Sequence, residues 1–329
     1  MKAAIRNQYG LPKSIEIQHI PTPKPKPNEL LVKVKASTIN RTDVAILTGQ
    51  PFIMRLFTGL FAPKLKSTGT DFAGIVEEVG SNVSNFKVDE RVFGFDDQGI
   101  GSHREFFTID ANKPISIIPS SFDFNQAVAS LEGVHYAFNF LNKVQISAKS
   151  KVLLIGGTGA IGSAMIQMVN DIGADLTVVC GTDGIDLVKK LGIEKVIDYQ
   201  KVDYISENIK GGIKYDFVFD SVGKSSFGKC KAIMTENGIY TSSELGDNSE
   251  NIFYALFTPL LSLLKISTQK VIFPIASNIN RSMEFIIKMI NQGKFTPLID
   301  RTYPIDQISE AFEYVISGQK LGNVIITFE

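Results

Sequence analysis

Near the middle of the chain, Gly157-Thr158-Gly159-Ala160-Ile161-Gly162 has the spacing G-x-G-x-x-G and follows the apolar run Val152–Ile155. After it, Ile161, Ala164, Met165, Met168 and Val169 recur at helical spacing, which predicts a helix over Ala160–Ile172 and puts the glycines at a strand-to-helix joint. Glycine lets the backbone turn tightly and approach a ligand, while the first N–H groups of the helix are free to meet negative charge. Such a joint suits a pyrophosphate, with Thr158, Gly159, Ala160 and Ile161 facing it. The same glycines would also serve if they only packed the helix on the strand.

The next strand bears on which dinucleotide would bind. A site for NAD usually carries an Asp or Glu ~20 residues on, at the second strand's end, to bind the ribose 2′-OH. Here Leu176–Cys180 ends in Gly181-Thr182, with no acid on its tip. Room for a 2′-phosphate follows, so NADPH is expected over NADH, although Asp183 would repel a phosphate. Gly181, Thr182 and Tyr199 are expected to border that ribose. Lys189 and Lys190 either add positive charge there or form an ordinary solvated helix face.

These residues need a frame to hold them. From Lys151 onward, the apolar strands Val152–Ile155, Leu176–Cys180, Val196–Ile197, Phe217–Asp220 and Ile239–Thr241 alternate with helical stretches. That pattern indicates α/β architecture, a doubly wound parallel sheet of Rossmann type. The first 120 residues read differently, with short strands at Leu30–Ala36, Gly74–Val79, Arg91–Phe95 and Glu105–Ile109 separated by turns, as in a β-rich barrel-like domain. Pro21, Pro23, Pro25 and Pro27 keep their segment extended and out of any sheet interior. The chain closes on a helical stretch, Ser309–Ile316, and a strand, Asn323–Phe328.

Composition removes several function classes. The 34 Lys+Arg balance 34 Asp+Glu, leaving no electrostatic basis for binding nucleic acid. Cys180 and Cys230 form no CxxC pair, and His19, His103 and His135 show no ligand spacing, so neither a disulfide framework nor a soft-metal site is expected. The start, MKAAIRNQYG, lacks the layout of a signal peptide, and the most apolar stretch, Ile252–Ile266, is fifteen residues interrupted by Pro259. A bilayer span needs ~20. A cytoplasmic protein without a membrane span is expected.

With Met1-Lys2-Ala3-Ala4, Ala36–Asp43, Gly69–Val76, Val196–Tyr199, Phe219–Gly223 and Gly322–Val324, these features resemble the medium-chain dehydrogenase/reductase superfamily. The resemblance is to its zinc-free quinone oxidoreductase branch, which includes alkenal and enone double-bond reductases. It implies a β-rich GroES-like domain at 1–121 and 294–329 and a Rossmann dinucleotide-binding domain at 122–293. Zinc-dependent relatives carry Cys in the place of Asn40 and Gly-His-Glu in the place of Gly69-Thr70-Asp71. Neither Asn40 nor Thr70 is a plausible zinc ligand, so no zinc is expected.

Without a metal to polarise an alcohol, hydride addition to an enone, alkenal or quinone is the expected reaction, on a small apolar carbonyl or quinone substrate. Asn40 is then expected to donate to the substrate carbonyl or the cofactor and Asp43 to orient its neighbours, although both residue types also cap helices. The resemblance places Ser221, Val222, Ser242, Phe273 and Asn323 among the cofactor contacts, Asn323 replacing a Lys. Tyr136, like His135 beside it, either donates a proton or satisfies a local backbone group. The apolar stretch Pro51–Lys64 would wall a substrate pocket, pack the β-domain core or meet a partner subunit, and Ile252–Ile266 would cover the crevice or a homodimer contact. The alternative to an enzyme is an NADPH-binding sensor or structural protein without significant turnover.

Overall fold

The computed structural model describes residues 1–242, 250–263, 268–274 and 277–329. They form two compact units, Met1–Glu132 with Asn278–Glu329, and Gly133–Ser277.

The first unit begins with β1 (Lys2–Ile5) and β2 (Glu16–His19), an antiparallel pair. Its main sheet takes β3 (Glu29–Ile39), β4 (Asp71–Val79), β5 (Arg91–Phe95), β6 (Phe106–Asp110) and β7 (Ile115–Ile117). Alternation explains β3: Leu30, Val32, Val34 and Ala36 are fully buried, while Lys33 and Lys35 turn partly outward. Phe72 and Phe107 meet edge to face in the same core, with ring centres 4.9 Å apart. The proline-spaced segment lies outside both sheets, as its missing donors require. Helices α1 (Arg41–Thr48), α2 (Met54–Thr58) and α3 (Phe124–Ala129) complete this stretch, and α4 (Glu132–Leu141) starts at the division between the units.

The second unit is a sheet of six parallel strands: β8 (Lys151–Ile155), β9 (Asp175–Cys180), β10 (Lys195–Asp198), β11 (Tyr215–Asp220), β12 (Met234–Ser242) and β13 (Lys270–Ile272). Their order is β10-β9-β8-β11-β12-β13, so the winding reverses between β8 and β11. This is the doubly wound Rossmann arrangement, and the crevice beyond the strand ends at such a reversal is where ligands bind. The helix α5 (Ala160–Ile172) follows β8 with the predicted bounds, burying Ala164, Met165, Met168 and Val169. Cys180 and Cys230 are free and buried in this unit, and burial pushes their thiols up to about 11 and about 12. Most of the apolar stretch Ile252–Ile266 lies in the helix Glu250–Leu263, where Phe253, Leu256 and Phe257 are exposed; Leu264–Ile266 fall outside the described residues.

The chain then returns to the first unit. There β14 (Ile299–Pro304) and β15 (Asn323–Thr327) complete a seven-stranded sheet in the order β14-β15-β3-β4-β5-β7, with β6 pairing β3. Val324, Ile325 and Ile326 of β15 are fully buried. Among the described residues, no helix is long and apolar enough to cross a membrane.

Candidate active site and dinucleotide site

In the first unit, the chemistry gathers where β3 runs into α1. Asn40 has the extended backbone of a helix cap, and Asp43, three residues on, accepts its N–H at 3.0 Å, so capping is the role the geometry displays for this pair. The Asn40 amide donates to the Thr38 hydroxyl and hydrogen-bonds Glu132. With 4% of its surface exposed, Asn40 is engaged within the unit rather than presented outward.

Three carboxyl groups converge around Asn40. Asp71 is clamped by the Thr38 N–H at 2.7 Å, the Thr38 hydroxyl and the Ser37 hydroxyl. Glu132 accepts from the Thr42 hydroxyl at 2.7 Å. Between Asp43 Oδ2 and Glu132 Oε2 stands the Thr70 hydroxyl, 3.4 Å from each. A hydroxyl has one proton, so it cannot serve two carboxylates at once. Among the described residues, Asp43 Oδ1 is buried without a hydrogen-bond partner. Burial is the main cause that raises all three: Asp71 to about 6, Glu132 to about 7 and Asp43 well above the usual carboxylate range. Near neutral pH the Asp43–Glu132 pair therefore holds a proton, and Lys320, itself lowered to about 8 by burial, opposes the rise at Glu132.

Glu132 is the residue that sequence reasoning missed. It lies three residues before His135, but nothing local signals that Thr42 and Thr70 will meet it.

His103 fixes the same corner from behind. Its Nε2 lies 3.0 Å from the Thr38 carbonyl, which only accepts, so Nε2 carries the hydrogen and Nδ1 accepts from the Thr68 hydroxyl at 2.7 Å. Burial lowers its pKa to about 4, which keeps it neutral.

The residues do not fit a zinc site here. Asn40 donates where a ligand would coordinate, Thr70 bridges two carboxyl groups, and among the described residues no group of three His, Cys, Asp or Glu is placed to hold a metal ion. Cavities of about 330 and 260 Å³ in this unit are lined by neither Asn40, Asp43 nor Glu132. Phe57 and Thr58 of the apolar stretch line the smaller one, whereas Phe52, Leu56 and Phe61 stand exposed and do not pack into a core.

The second unit collects nearly all the expected cofactor residues along one edge. Thr158, Gly159, Ala160 and Ile161 follow the end of β8, and Gly181 and Thr182 follow β9. Tyr199 follows β10, Ser221 and Val222 follow β11, Ser242 ends β12 and Phe273 follows β13. All sit at the carboxyl ends of parallel strands.

The glycines there divide by what a side chain would meet. A Cβ on Gly157 would come within 2.2 Å of Val178 Cγ1, and one on Gly162 within 2.0 Å of the Gly156 carbonyl oxygen, so these two serve close packing. Among the described residues, a Cβ on Gly159 would meet nothing within 4 Å. Gly159 also caps α5 with no side chain on the helix's first N–H groups, an open cradle that fits a pyrophosphate. Ser221 steadies the turn with its hydroxyl 3.0 Å from the Ile155 carbonyl and 2.9 Å from the Gly156 carbonyl, its one proton going to either.

An acid does stand near the β9 tip, supplied by the neighbouring strand. Asp198, the last residue of β10, accepts from the Thr182 hydroxyl at 2.6 Å and the Gln200 N–H at 3.0 Å and lies 3.5 Å from Lys201. The Thr182 bond is the main reason that its carboxyl falls below the usual range.

Three further expected residues sit on other elements. Asn323 belongs to the first unit, where its amide donates to the carbonyls of Ala129 at 3.2 Å and Leu298 at 2.9 Å and ties β15 into place. Tyr136 belongs to the second unit, half-buried on α4 with its ring edge to face with His135 at 5.6 Å. His135 is lowered to about 4 by burial, so at neutral pH it is no acid.

Residues 26–119 match the family described as alcohol dehydrogenase GroES-like domain, and residues 191–326 the family described as zinc-binding dehydrogenase. The chain is 27% identical over 335 residues to the chloroplast envelope quinone oxidoreductase homolog of Arabidopsis thaliana, covering 99% of this chain and 98% of that one. It is 25% identical to the NADPH-dependent alkenal/one oxidoreductase of Arabidopsis thaliana, covering 99% of this chain and 79% of that one. The solved Escherichia coli quinone oxidoreductase complexed with NADPH superposes with a TM-score of 0.82 at 23% identity over the whole of both chains, which establishes a shared fold. Two family matches, at 26–119 and 191–326, and full-length likeness to quinone oxidoreductases lead to one conclusion: the chain belongs to the medium-chain dehydrogenase/reductase superfamily, in its quinone oxidoreductase branch.

Proposed function

We propose that the chain is a zinc-independent, NADPH-dependent oxidoreductase that reduces quinones or the C=C bond of enones and alkenals by hydride transfer. The observation that carries this reading is the edge of the parallel sheet, where an open glycine and uncapped helix N–H groups meet a reversal of strand order. Bound there, NADPH supplies the hydride.

The chain's own residues do the rest. Gly159 and the N–H groups of α5 hold the pyrophosphate, and Ser221 keeps the turn rigid. The Gly181-Thr182 tip favours the 2′-phosphate over a bare hydroxyl, because the strand end itself carries no acid and the Asp198 carboxyl is engaged by Thr182, Gln200 and Lys201, although Asp183 beside the tip works against it. In the first unit, Asn40 acts as a positioning residue: with Thr42 and Thr70 it fixes the Glu132 carboxyl, and the Asp43–Glu132 pair holds the proton that completes addition of two hydrogens across the substrate. The quinone and alkenal names of the relatives above support this substrate class.

Steady-state oxidation of NADPH and NADH with a panel of quinones, enones and alkenals, with and without a zinc chelator, tests the proposal. Turnover that prefers NADPH and resists the chelator is expected. Tight NADPH binding without turnover of any member would overturn it in favour of a sensor or structural role.

A further inference from the structure

The feature that the proposed reaction leaves unused is the segment between α1 and β4. From Val44 to Thr70 the sequence contains no Asp or Glu. Within it, Phe52, Ile53, Leu56 and Phe57 are 57 to 60% exposed and Phe61 is 91% exposed. Their backbone is nonetheless pinned: the Tyr9 hydroxyl lies 2.8 Å from Thr58 Oγ1 and donates to the Gly59 carbonyl, Lys64 N–H donates to the Thr58 carbonyl at 2.7 Å, and the Arg55 guanidinium stacks 4.7 Å from the Tyr9 ring centre. Large apolar side chains are thus held out in water by a fixed base. A contiguous exposed patch of this kind marks an interaction surface.

Beside the patch is a second, independent feature. A cavity of about 330 Å³ is lined by Lys64, Lys66, Arg104, Asn7, Gln18 and Ser67. Among the described residues, none of these three cations has a carboxylate partner, and Arg104 Nε is buried with no hydrogen-bond partner at all. Burial lowers the Arg104 pKa, with no acid nearby to offset it. A guanidinium and two ammonium groups lining one cavity, among Ile5, Ile20 and Leu65 and with Lys64 also donating to the Phe57 carbonyl at 3.1 Å, form a receptor for a phosphate-like anion.

We infer that this face of the first unit docks on a membrane surface carrying anionic phospholipid, with the Phe52–Phe61 tips entering the acyl boundary and a headgroup phosphate taken by Lys64, Lys66 and Arg104. Apolar tips ringed by cations are the chemistry of interfacial binding. A second copy of the chain fits less well, because a self-complementary contact would set Arg55, Lys64 and Lys66 against the same cations. The docking is independent of hydride transfer and is read without cofactor.

Flotation of the full-length chain with vesicles tests it, comparing phosphatidylcholine alone with phosphatidylcholine containing about 30% phosphatidylglycerol. Binding to the anionic vesicles, weakened by salt, is expected. The surface variant K64E/K66E should lower that binding about tenfold or more, and L60D/F61D should lower it comparably, with melting temperatures unchanged in both. Equal binding to neutral and anionic vesicles, no binding to either, or unaltered binding by both variants would overturn the inference. So would self-association in sedimentation velocity that L60D/F61D abolishes, which would identify a second copy as the occupant.

Discussion

Glu132 is the residue on which the proton economy of the first unit turns. Its carboxyl is raised to about 7, so the folded state binds the proton more tightly than the unfolded chain does. The stabilisation is complete below the unfolded value of about 4.5 and is lost as pH rises through about 7. Asp71, raised to about 6, acts in the same direction. His103, lowered to about 4, acts in the opposite one: its contribution is present above about 6.5 and lost as pH falls through about 4. Thermal melts from pH 4 to 8 should therefore show greatest stability between these limits, and E132Q should flatten the alkaline side while leaving the acid side unchanged. If Glu132 also supplies the proton, E132Q lowers kcat ~10²-fold and removes the activity limb near neutrality, with the NADPH Kd unchanged. A surviving limb would assign the proton to water. Neither Glu132 nor Asp198 was legible in the sequence as a site residue, because each gains its meaning from a partner brought in by tertiary folding: Thr70 from just before β4, Thr182 from just past the end of β9.

At the scale of elements, the strand-to-helix joint was legible because its requirements are local. Three glycines, an apolar strand and a helical periodicity lie in one stretch of chain, and α5 took its predicted bounds. What spacing left open was whether the glycines pack or bind, and the space around them separates the two roles. Gly162→Ala should cost about 1–3 kcal/mol in urea unfolding, because its Cβ would press on the Gly156 carbonyl. Gly159→Ala should leave stability within about 0.5 kcal/mol yet weaken NADPH about tenfold by calorimetry, since its methyl would meet none of the described residues but would face a bound ligand. Unchanged affinity in Gly159→Ala would return the motif to a packing role. The segment Pro51–Lys64 was ambiguous for a different reason. Apolar composition says that a surface avoids water, but only the fold tells whether the chain itself covers it, and here Tyr9 and Thr58 hold the segment outward.

For the whole molecule, the decisive feature is that the first unit is made from both ends of the described chain, with the second unit between. The two fold types were readable from strand periodicity, since unbroken apolar strands between helices and short alternating strands between turns leave different patterns. The junctions were less so, because α4 passes from one unit to the other without a break in its helical pattern. β15 lies between β14 and β3, and its Ile326 is fully buried, so Ile326→Ala should destabilise the first unit by about 2–5 kcal/mol in chemical denaturation. The placement of β15 also sets an order of events during synthesis. Residues 1–132 leave the ribosome first but lack a middle strand of their sheet until residue 327 has been made, whereas residues 133–277 contain every strand of theirs. The later-made unit is therefore the first able to fold, and the earlier-made one must wait, exposed to proteases and chaperones, for the length of chain that separates β7 from β15.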